Sequence, residues 1–334
     1  MTQYSPSPAL SVAMSVYNGE RFLAPAIQSV LDQSFGDFEF LILDDGSTDS
    51  SRAIIEEFAA RDTRIKPILR ENRGLVASLN QLLETAAAPL VARMDADDIC
   101  RHNRFEKQIA FLAAHPDHGV VGSWSEDIDE NGQPWFTGGV DHAVTNEEMK
   151  AVAACGGQLL VHPAVMYRKD IVLGVGGYHA AFRHCEDYDL WLRLASETKM
   201  ANIPERLLRY RHYPDQVSKK YVTEQTVGAA IAHEAWRARE AGKPDPTADL
   251  KTLPPVDQLD ALFGEAGVAS RVRARVARGI LHSRNAMRDG GFDIILHHVS
   301  EGGDREGLWR TVARLLRFGE PARALRLTMA LAAR

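Results

Sequence analysis

The stretch FEFLILDDGSTDSSRAIIEEF, residues 38–58, changes character twice along its length. Residues 38–44 are almost continuously apolar, as a strand buried on both faces must be. The centre, DDGSTD, is turn and helix-start chemistry: Gly46 permits a tight turn, and Ser47, Thr48, Asp49 and Ser50 are all helix-capping types. The end places Ile54, Ile55 and Phe58 at helical spacing. The same unit recurs on both sides. Apolar runs at 10–16, 65–69 and 90–95 alternate with helical patterns, one marked by Phe22, Ala26, Ile27, Val30 and Leu31, another by Leu75, Leu79, Leu82 and Leu83. Alternation of this kind predicts an α/β fold, Rossmann-like, with a mostly parallel central sheet flanked by helices.

In such sheets ligands bind beyond the carboxyl ends of the strands. SVYNGE follows the first run, DDGSTD the second, RENRG the third and DADD the fourth. Four successive polar exits predict one shared site along one edge of the sheet.

The rest of the chain is less regular. A helix is expected over 103–114, strands over 119–126 and 159–168, and a loop or hairpin over 131–139. A helix is expected over 186–196, and a strand running into a loop over 200–218. Beyond 218 the pattern becomes helical, with a linker at about 243–255 that holds four prolines. The domains expected are 1–218, with halves divided at about residue 100, then a helical extension over 219–334.

The 334 residues carry a formal charge of −6, which argues against a general nucleic-acid binder. Three scattered cysteines, with no CxxC pair, fit a reducing cytosol. The N-terminus lacks the basic and apolar regions of a signal peptide, and no run is long enough to span a membrane. The expected location is cytoplasmic, with contact at the inner face of the cell membrane as a peripheral option.

The segment MDADDI concentrates charge where the fourth strand ends. Asp95 and Asp97 alternate, so on extended backbone they point the same way and repel unless a cation intervenes. A hard divalent ion with oxygen ligands, Mg²⁺ or Mn²⁺, is the natural partner, shared with substrate phosphates. The missing positive charge is therefore expected from outside the chain. Asp98 reads instead as the start of the helix from Arg104, where acids are favourable. In HCEDYDLWLR, Glu186 and Asp187 open a helix; they serve either as caps or as a general base. In RYRHYPDQVS, His212 lies beside Arg209 and Arg211. His162 and Trp124 read equally as acceptor-side or core residues.

Together these pieces resemble the family 2 glycosyltransferases of the GT-A fold, over about residues 9–217. The resemblance rests on SVAMSVYNGERFLAPAIQSVLDQSFGDFEFLILDDGSTD, ENRGLVASLN, MDADD, GGYHAAFRHCEDYDLWLRL and RYRHYPDQVS, in family order. It implies a nucleotide-binding half to about 100 and an acceptor half over 101–218, in which Ser15, Val16 and Tyr17 contact the nucleotide, Asp45 the base edge, and Asp95 the ribose and metal. Asp97 is implied as the direct metal ligand, Asp187 as catalytic base with Glu186 near the acceptor, and His212 as a further approach to metal or phosphate. The implied reaction is inverting transfer from a nucleoside-diphosphate sugar, with UDP as the expected nucleotide, to a glycan or lipid-linked acceptor in cell-surface polysaccharide synthesis. One base and one in-line displacement suffice for inversion. No QxxRW motif is present, which favours single addition over polymerisation.

Residues 305–334 hold seven Arg against two Glu. Arg310, Arg314 and Arg317 fall on one helical face, with Leu308, Val312 and Leu315 opposite. This suggests either an interfacial helix on anionic lipid or an appendage packed on the catalytic domain or on a second copy in a homodimer. Two other functions compete. A sugar-nucleotide pyrophosphorylase is demoted because SVYNGERF has one Gly and no Lys to hold a triphosphate. A non-catalytic sugar-nucleotide-binding module is disfavoured by the joint presence of Asp45, Asp95, Asp97 and Asp187.

Overall fold

The computed structural model describes residues 7–135, 138–214 and 216–333. Residues 1–6 of the N-terminus, Phe136 and Thr137 of the expected loop, Asp215 of the last quoted motif, and Arg334 lie outside the described residues. The chain forms two units, Met1–His179 with Leu190–Tyr213, and Ala180–Asp189 with Pro214–Arg334.

The first unit is built on the repeat read from the sequence. Strand β1 (Leu10–Val16) leads to helix α1 (Glu20–Leu31), β2 (Phe38–Asp45) to α2 (Ser51–Arg61), and β3 (Ile65–Arg70) to α3 (Leu75–Thr85). Then come β4 (Leu90–Asp95), the two-residue β5 (Ile99–Cys100), α4 (Arg104–Ala114), β6 (His118–Ile128) and α5 (Asn146–Cys155). Strand β7 (Met166–Arg168), α6 (Lys169–Gly174), α7 (Glu186–Leu194) and β8 (Lys199–Arg211) follow. Leu190 onward in α7 belongs to this unit, while Glu186–Asp189 belong to the second.

One eight-stranded sheet runs β3-β2-β1-β4-β7-β6-β8-β5. It is mixed: β1–β2, β1–β4, β2–β3 and β6–β8 pair in parallel, and β7 and β5 pair antiparallel to their neighbours. Val12, Met14, Phe40 and Ile42 are sealed from solvent beneath Leu23 and Ile27 of α1 and Phe105 of α4. Their transfer from water, about 25 cal/mol per Å² of apolar surface, is what holds the layers together.

Three local features depart from the expectations. Residues 159–168 do not form one strand. A 3-10 turn at His162–Ala164 precedes the short β7, and Pro163, which has no N–H to give a ladder, sits within that turn. Strand β5 interrupts the run from MDADD to α4. Helix α5 was not anticipated, although TNEE is a capping-box sequence. Thr145 Oγ1 accepts from Glu148 N at 3.2 Å, and Glu148 Oε2 accepts from Thr145 N at 3.0 Å.

The second unit carries the helices after α7: α8 (Val217–Lys220), α9 (Val222–Glu240), α10 (Leu259–Phe263), α11 (Val268–Ile280), α12 (Gly291–Ser300), α13 (Leu308–Arg317) and α14 (Pro321–Ala332). Helix α11 packs on α9 and α12, and α14 packs on α12 and α13. Ile231, Val272, Val276, Ile280, Phe292 and Ile295 are buried among these helices. Glu234, also buried, is paired with Arg271 at 2.8 Å. Leu308 and Leu315 of α13 are buried and Val312 is half-buried, whereas Trp309 and Leu316 are 56% and 58% exposed. Arg310 and Arg317 border those two exposed residues in sequence. Among the described residues, no helix is long and apolar enough to cross a membrane.

Candidate nucleotide and metal site

Parallel register brings the strand exits level. Ser15 pairs with Leu43 and with Asp95, Val16 with Asp44, and Asp45 with Arg70. The sequence-predicted residues of β1, β2 and β4 therefore share one edge of one sheet.

The first two exits are zipped to each other. Asn18 N donates to Ser47 Oγ at 2.9 Å, and Thr48 N donates to Asn18 Oδ1 at 2.8 Å. Gly19 N donates to Ser51 Oγ at 2.9 Å, Glu20 N to Asp49 Oδ2 at 3.0 Å, and Ser50 N to Glu20 Oε2 at 2.8 Å. The capping role expected of Ser47–Ser50 is met in part: Ser50 occupies the N-cap of α2 without a side-chain cap bond, while Asp49 Oδ1 accepts from Ser51 N at 3.0 Å. The Ser47 and Asp49 side chains also satisfy the backbone of the neighbouring loop. Gly46 has φ +78°, and a Cβ there would lie 2.7 Å from Asn72 N, so only glycine fits.

Tyr17 projects from this frame with 55% of its surface exposed, Ser15 is half-buried, and Val16 is buried. Asp45 is 2% exposed and already engaged. Its Oδ1 accepts from Arg70 Nε at 2.9 Å and from Arg73 N at 3.0 Å, and its Oδ2 from Gly74 N at 2.8 Å. The carboxylate shapes the loop after β3, and a base N–H would have to share it with these donors.

The fourth exit is different. Asp95, Asp97 and Asp98 each offer a carboxylate oxygen, and these lie within 4.8 Å of one another. Asp98 was expected to open the next helix; it does not. Asn103 occupies the N-cap of α4, and Asp98 is 1% exposed inside the carboxylate cluster. The intervening β5 pairs with β8 and turns the Asp98 side chain inward, where its Oδ1 accepts from Arg211 N at 2.8 Å. Asp98 Oδ2 is buried and has no hydrogen-bond donor among the described residues. Tyr213 donates its hydroxyl to Asp97 Oδ2 at 2.9 Å, and its ring packs on Phe22 at 5.1 Å.

Burial and then the Asp95 charge push the Asp97 carboxyl up to about 6, against the pull of the Tyr213 hydrogen bond. Burial and the two neighbouring carboxylates push Asp98 well above the usual range. Both shifts arise from negative charge held out of water without enough positive compensation.

Part of that compensation is in the chain, contrary to the expectation that it comes wholly from outside. Arg93, two residues before Asp95 on β4, is 3% exposed, and its Nη1 is in ion-pair contact with Asp95 Oδ1. Arg211 Nε donates to the Asp97 carbonyl at 2.7 Å. Arg104, wholly buried, ties α4 to the same strand by donating from Nη2 to Arg93 O at 2.8 Å and to Val165 O at 3.0 Å. Sequence reasoning missed Arg93 and Tyr213, and named Arg211 only as a neighbour of His212. The signal for Arg93 was present: a lone charge in an apolar strand, at i−2 from Asp95 and so on the same face.

His212 Nε2 lies 3.1 Å from Asp127 Oδ1, and its ring stacks near Trp135 at 5.5 Å. His162 is buried, with Nε2 3.0 Å from the Tyr178 hydroxyl. Burial, with Arg93 nearby, holds its imidazole neutral. Trp124 Nε1 donates to His142 O at 2.9 Å. In the second unit, Glu186 is buried and Asp187 half-buried in the first turn of α7, where negative charge is favourable. The preceding turn holds His184 at φ +69°, its ring stacked on Tyr221 at 4.1 Å and 10°.

The three carboxylates fit a divalent cation. They are hard oxygen donors in mutual reach, and the donorless Asp98 Oδ2 is left for a positive partner.

Comparison with known proteins agrees with this geometry. A family profile described as "Glycosyl transferase family 2" matches residues 11–175. The chain is 35% identical over 235 residues to "Putative glycosyltransferase EpsE" of Bacillus subtilis (strain 168), covering 69% of this chain and 82% of that protein. It is 31% identical over 218 residues to "UDP-Gal:alpha-D-GlcNAc-diphosphoundecaprenol beta-1,3-galactosyltransferase" of Escherichia coli, covering 64% of this chain and 78% of the relative. A mannosyltransferase from Pyrobaculum calidifontis, solved with GDP-Man and Mn²⁺, superposes with TM-score 0.54 at 14% identity, over 98% of this chain and 88% of that one. At that identity the likeness shows the fold.

Proposed function

The chain belongs to the family 2 glycosyltransferases, and from that membership we propose that it moves a sugar from a UDP-sugar to a hydroxyl of a glycan or lipid-linked acceptor, with inversion, in cell-surface polysaccharide or lipopolysaccharide synthesis. The carboxylate triad at the β4 exit, level in register with the β1 and β2 exits, is the observation that carries the reading. The Escherichia coli relative supports donor and acceptor class, since its name gives a UDP-sugar and a lipid-linked acceptor.

In this reading the nucleotide lies along the β1–β2 edge. The exposed Tyr17 offers a ring face to the base, Ser15 and Val16 line the floor, and Asp45 with Arg70 closes the base end. Asp95 addresses the ribose side. Asp97, with Asp98 beside it, holds Mn²⁺ or Mg²⁺, and the Mn²⁺ complex of the mannosyltransferase supports that cofactor. The ion, when bound, neutralises charge that develops on the departing diphosphate. Tyr213 fixes the Asp97 carboxylate through its hydroxyl. His212 belongs to the phosphate side in this scheme, held by Asp127.

Asp187 accepts the proton of the acceptor hydroxyl as its oxygen attacks the anomeric carbon, and the bond from that carbon to the β-phosphate oxygen breaks in line. Glu186 supports the acceptor side. The exposed Trp309 and Leu316 of α13, with Arg310 and Arg317 next to them, give the second unit a surface suited to an anionic membrane face, where a lipid-linked acceptor resides. On this reading the enzyme works in the cytoplasm, peripheral to the membrane.

Hydrolysis or transfer from radiolabelled UDP-sugars, assayed with Mn²⁺ on the wild type and Asp187→Asn, tests the reading. The expected loss in kcat for the variant is about 10²–10⁴-fold. Undiminished turnover in Asp187→Asn removes the base assignment, and absence of turnover with any nucleotide sugar removes the donor assignment.

A further inference from the structure

We propose that Arg93 is a built-in counter-cation that takes Asp95 out of the metal's coordination, so that the empty site binds a divalent ion weakly and the nucleotide diphosphate must help to recruit it. The inference rests on the metal reading above and adds a positioning residue to it.

Arg93 lies inside the sheet on β4, 3% exposed, with its Nη1 against Asp95 Oδ1. Its Nε is buried and has no acceptor among the described residues. Asp98 also attracts this guanidinium, less strongly than Asp95, while burial pushes the neighbouring Tyr167 hydroxyl up and the His162 imidazole down. Asp95 is the carboxylate in ion-pair contact with it. A buried cation whose nearest carboxylate is withdrawn is left uncompensated, so the structure binds Asp95 to Arg93 and resists its rotation toward an incoming ion.

The three carboxylates then divide by partner. Asp95 faces Arg93. Asp97 receives a neutral hydroxyl from Tyr213, and Asp98 receives one backbone N–H and keeps a donorless oxygen. Two carboxylates remain for the ion. Mg²⁺ and Mn²⁺ sites that hold one or two carboxylates complete their shells with substrate phosphate oxygens. Binding of ion and nucleotide is consequently cooperative, and by linkage each raises the affinity of the other equally. Arg93 is a positioning residue; it touches neither substrate nor ion.

The test titrates the full chain with Mn²⁺, followed by EPR of the free ion, with and without UDP. The proteins are wild type, Arg93→Met, Arg93→Lys, Asp95→Asn, Asp97→Asn and the Arg93→Met/Asp95→Asn double variant. Releasing Asp95 in Arg93→Met is expected to strengthen Mn²⁺ binding without UDP by about tenfold. Arg93→Lys keeps the wild-type affinity, and the double variant returns to within about threefold of wild type because the freed side chain is no longer anionic. Asp95→Asn, which needs no change at the buried Arg, stays within about threefold of wild type, while Asp97→Asn loses about tenfold or more. An unchanged Mn²⁺ affinity in Arg93→Met, or a loss in Asp95→Asn as large as in Asp97→Asn, overturns the Arg93 inference and leaves the metal reading standing. Failure of the wild type to bind Mn²⁺ even with UDP overturns the metal reading and the inference with it.

Discussion

The exits of β1 and β2 and the exit of β4 occupy the same edge of one sheet and are built on opposite principles. At β1 and β2 the polar side chains satisfy one another: five hydrogen bonds zip Asn18, Gly19 and Glu20 to Ser47, Thr48, Asp49, Ser50 and Ser51. Asp45 is saturated by Arg70 and the loop after β3. At β4 three carboxylates crowd together, two with raised affinity for protons and one with a buried oxygen that no group among the described residues donates to. The first region is a finished frame. The second holds like charge out of water, answered only in part by Arg93.

The largest expected effect breaks the open region. Asp97→Asn removes the carboxylate that Tyr213 positions, and kcat for sugar transfer should fall by about 10²–10³-fold, measured at saturating donor. In the absence of metal the same variant should unfold at higher urea concentration than the wild type at pH 7.5, because like-charge repulsion is relieved. Lower stability at pH 7.5 would place the triad among ordinary structural ion pairs.

The next effect breaks the finished region. Gly46→Ala forces a side chain onto a left-handed backbone and against Asn72 N, and should cost about 1–3 kcal/mol of folding stability in urea. Its Mn²⁺ affinity with UDP should suffer far less than that of Asp97→Asn. A pattern in which both variants lose metal equally would dissolve the contrast between the regions.

A pH series sharpens the comparison. The native carboxyl of Asp97 is raised to about 6, so between about 4 and 6 the folded protein binds more protons than the unfolded chain. The triad's contribution to metal-free stability is therefore present at low pH and lost as pH rises through about 6. Metal needs the deprotonated form, so Mn²⁺ affinity should fall about tenfold per pH unit below about 6 and level off above it. A flat affinity between pH 5 and 7.5 would contradict the shift.

The smallest effect concerns a single link of the zipper. Ser47→Ala leaves Asn18 N without its acceptor and should cost about 1 kcal/mol, with kcat changed little.

The strand–helix repeat of the first hundred residues was legible because strands sealed on both faces leave a nearly continuous apolar run, as Leu10–Val16, Phe38–Asp45 and Leu90–Asp95 do, while the edge strand Ile65–Arg70, exposed at Lys66 and Pro67, shows it least. The clustering of Asp95 and Asp97 was legible from their alternation. What escaped depends on distant pairing. Asp98 turns inward only because β5 pairs with β8, more than a hundred residues away, and Tyr213 reaches Asp97 from the end of that same strand. The residues Ser47–Ser50 have capping chemistry that serves equally to satisfy a neighbouring loop, and local sequence does not choose between the two. Arg93 was overlooked because an arginine inside an apolar run looks like an interruption until its partner is placed.

The most direct test is UDP binding by calorimetry to the full chain, in Mn²⁺ and again in EDTA. The account predicts that Mn²⁺ tightens UDP binding by about tenfold or more, and that Asp97→Asn abolishes the difference while retaining the weak EDTA-level binding to the finished frame. Equal UDP affinity in Mn²⁺ and EDTA for the wild type would contradict it.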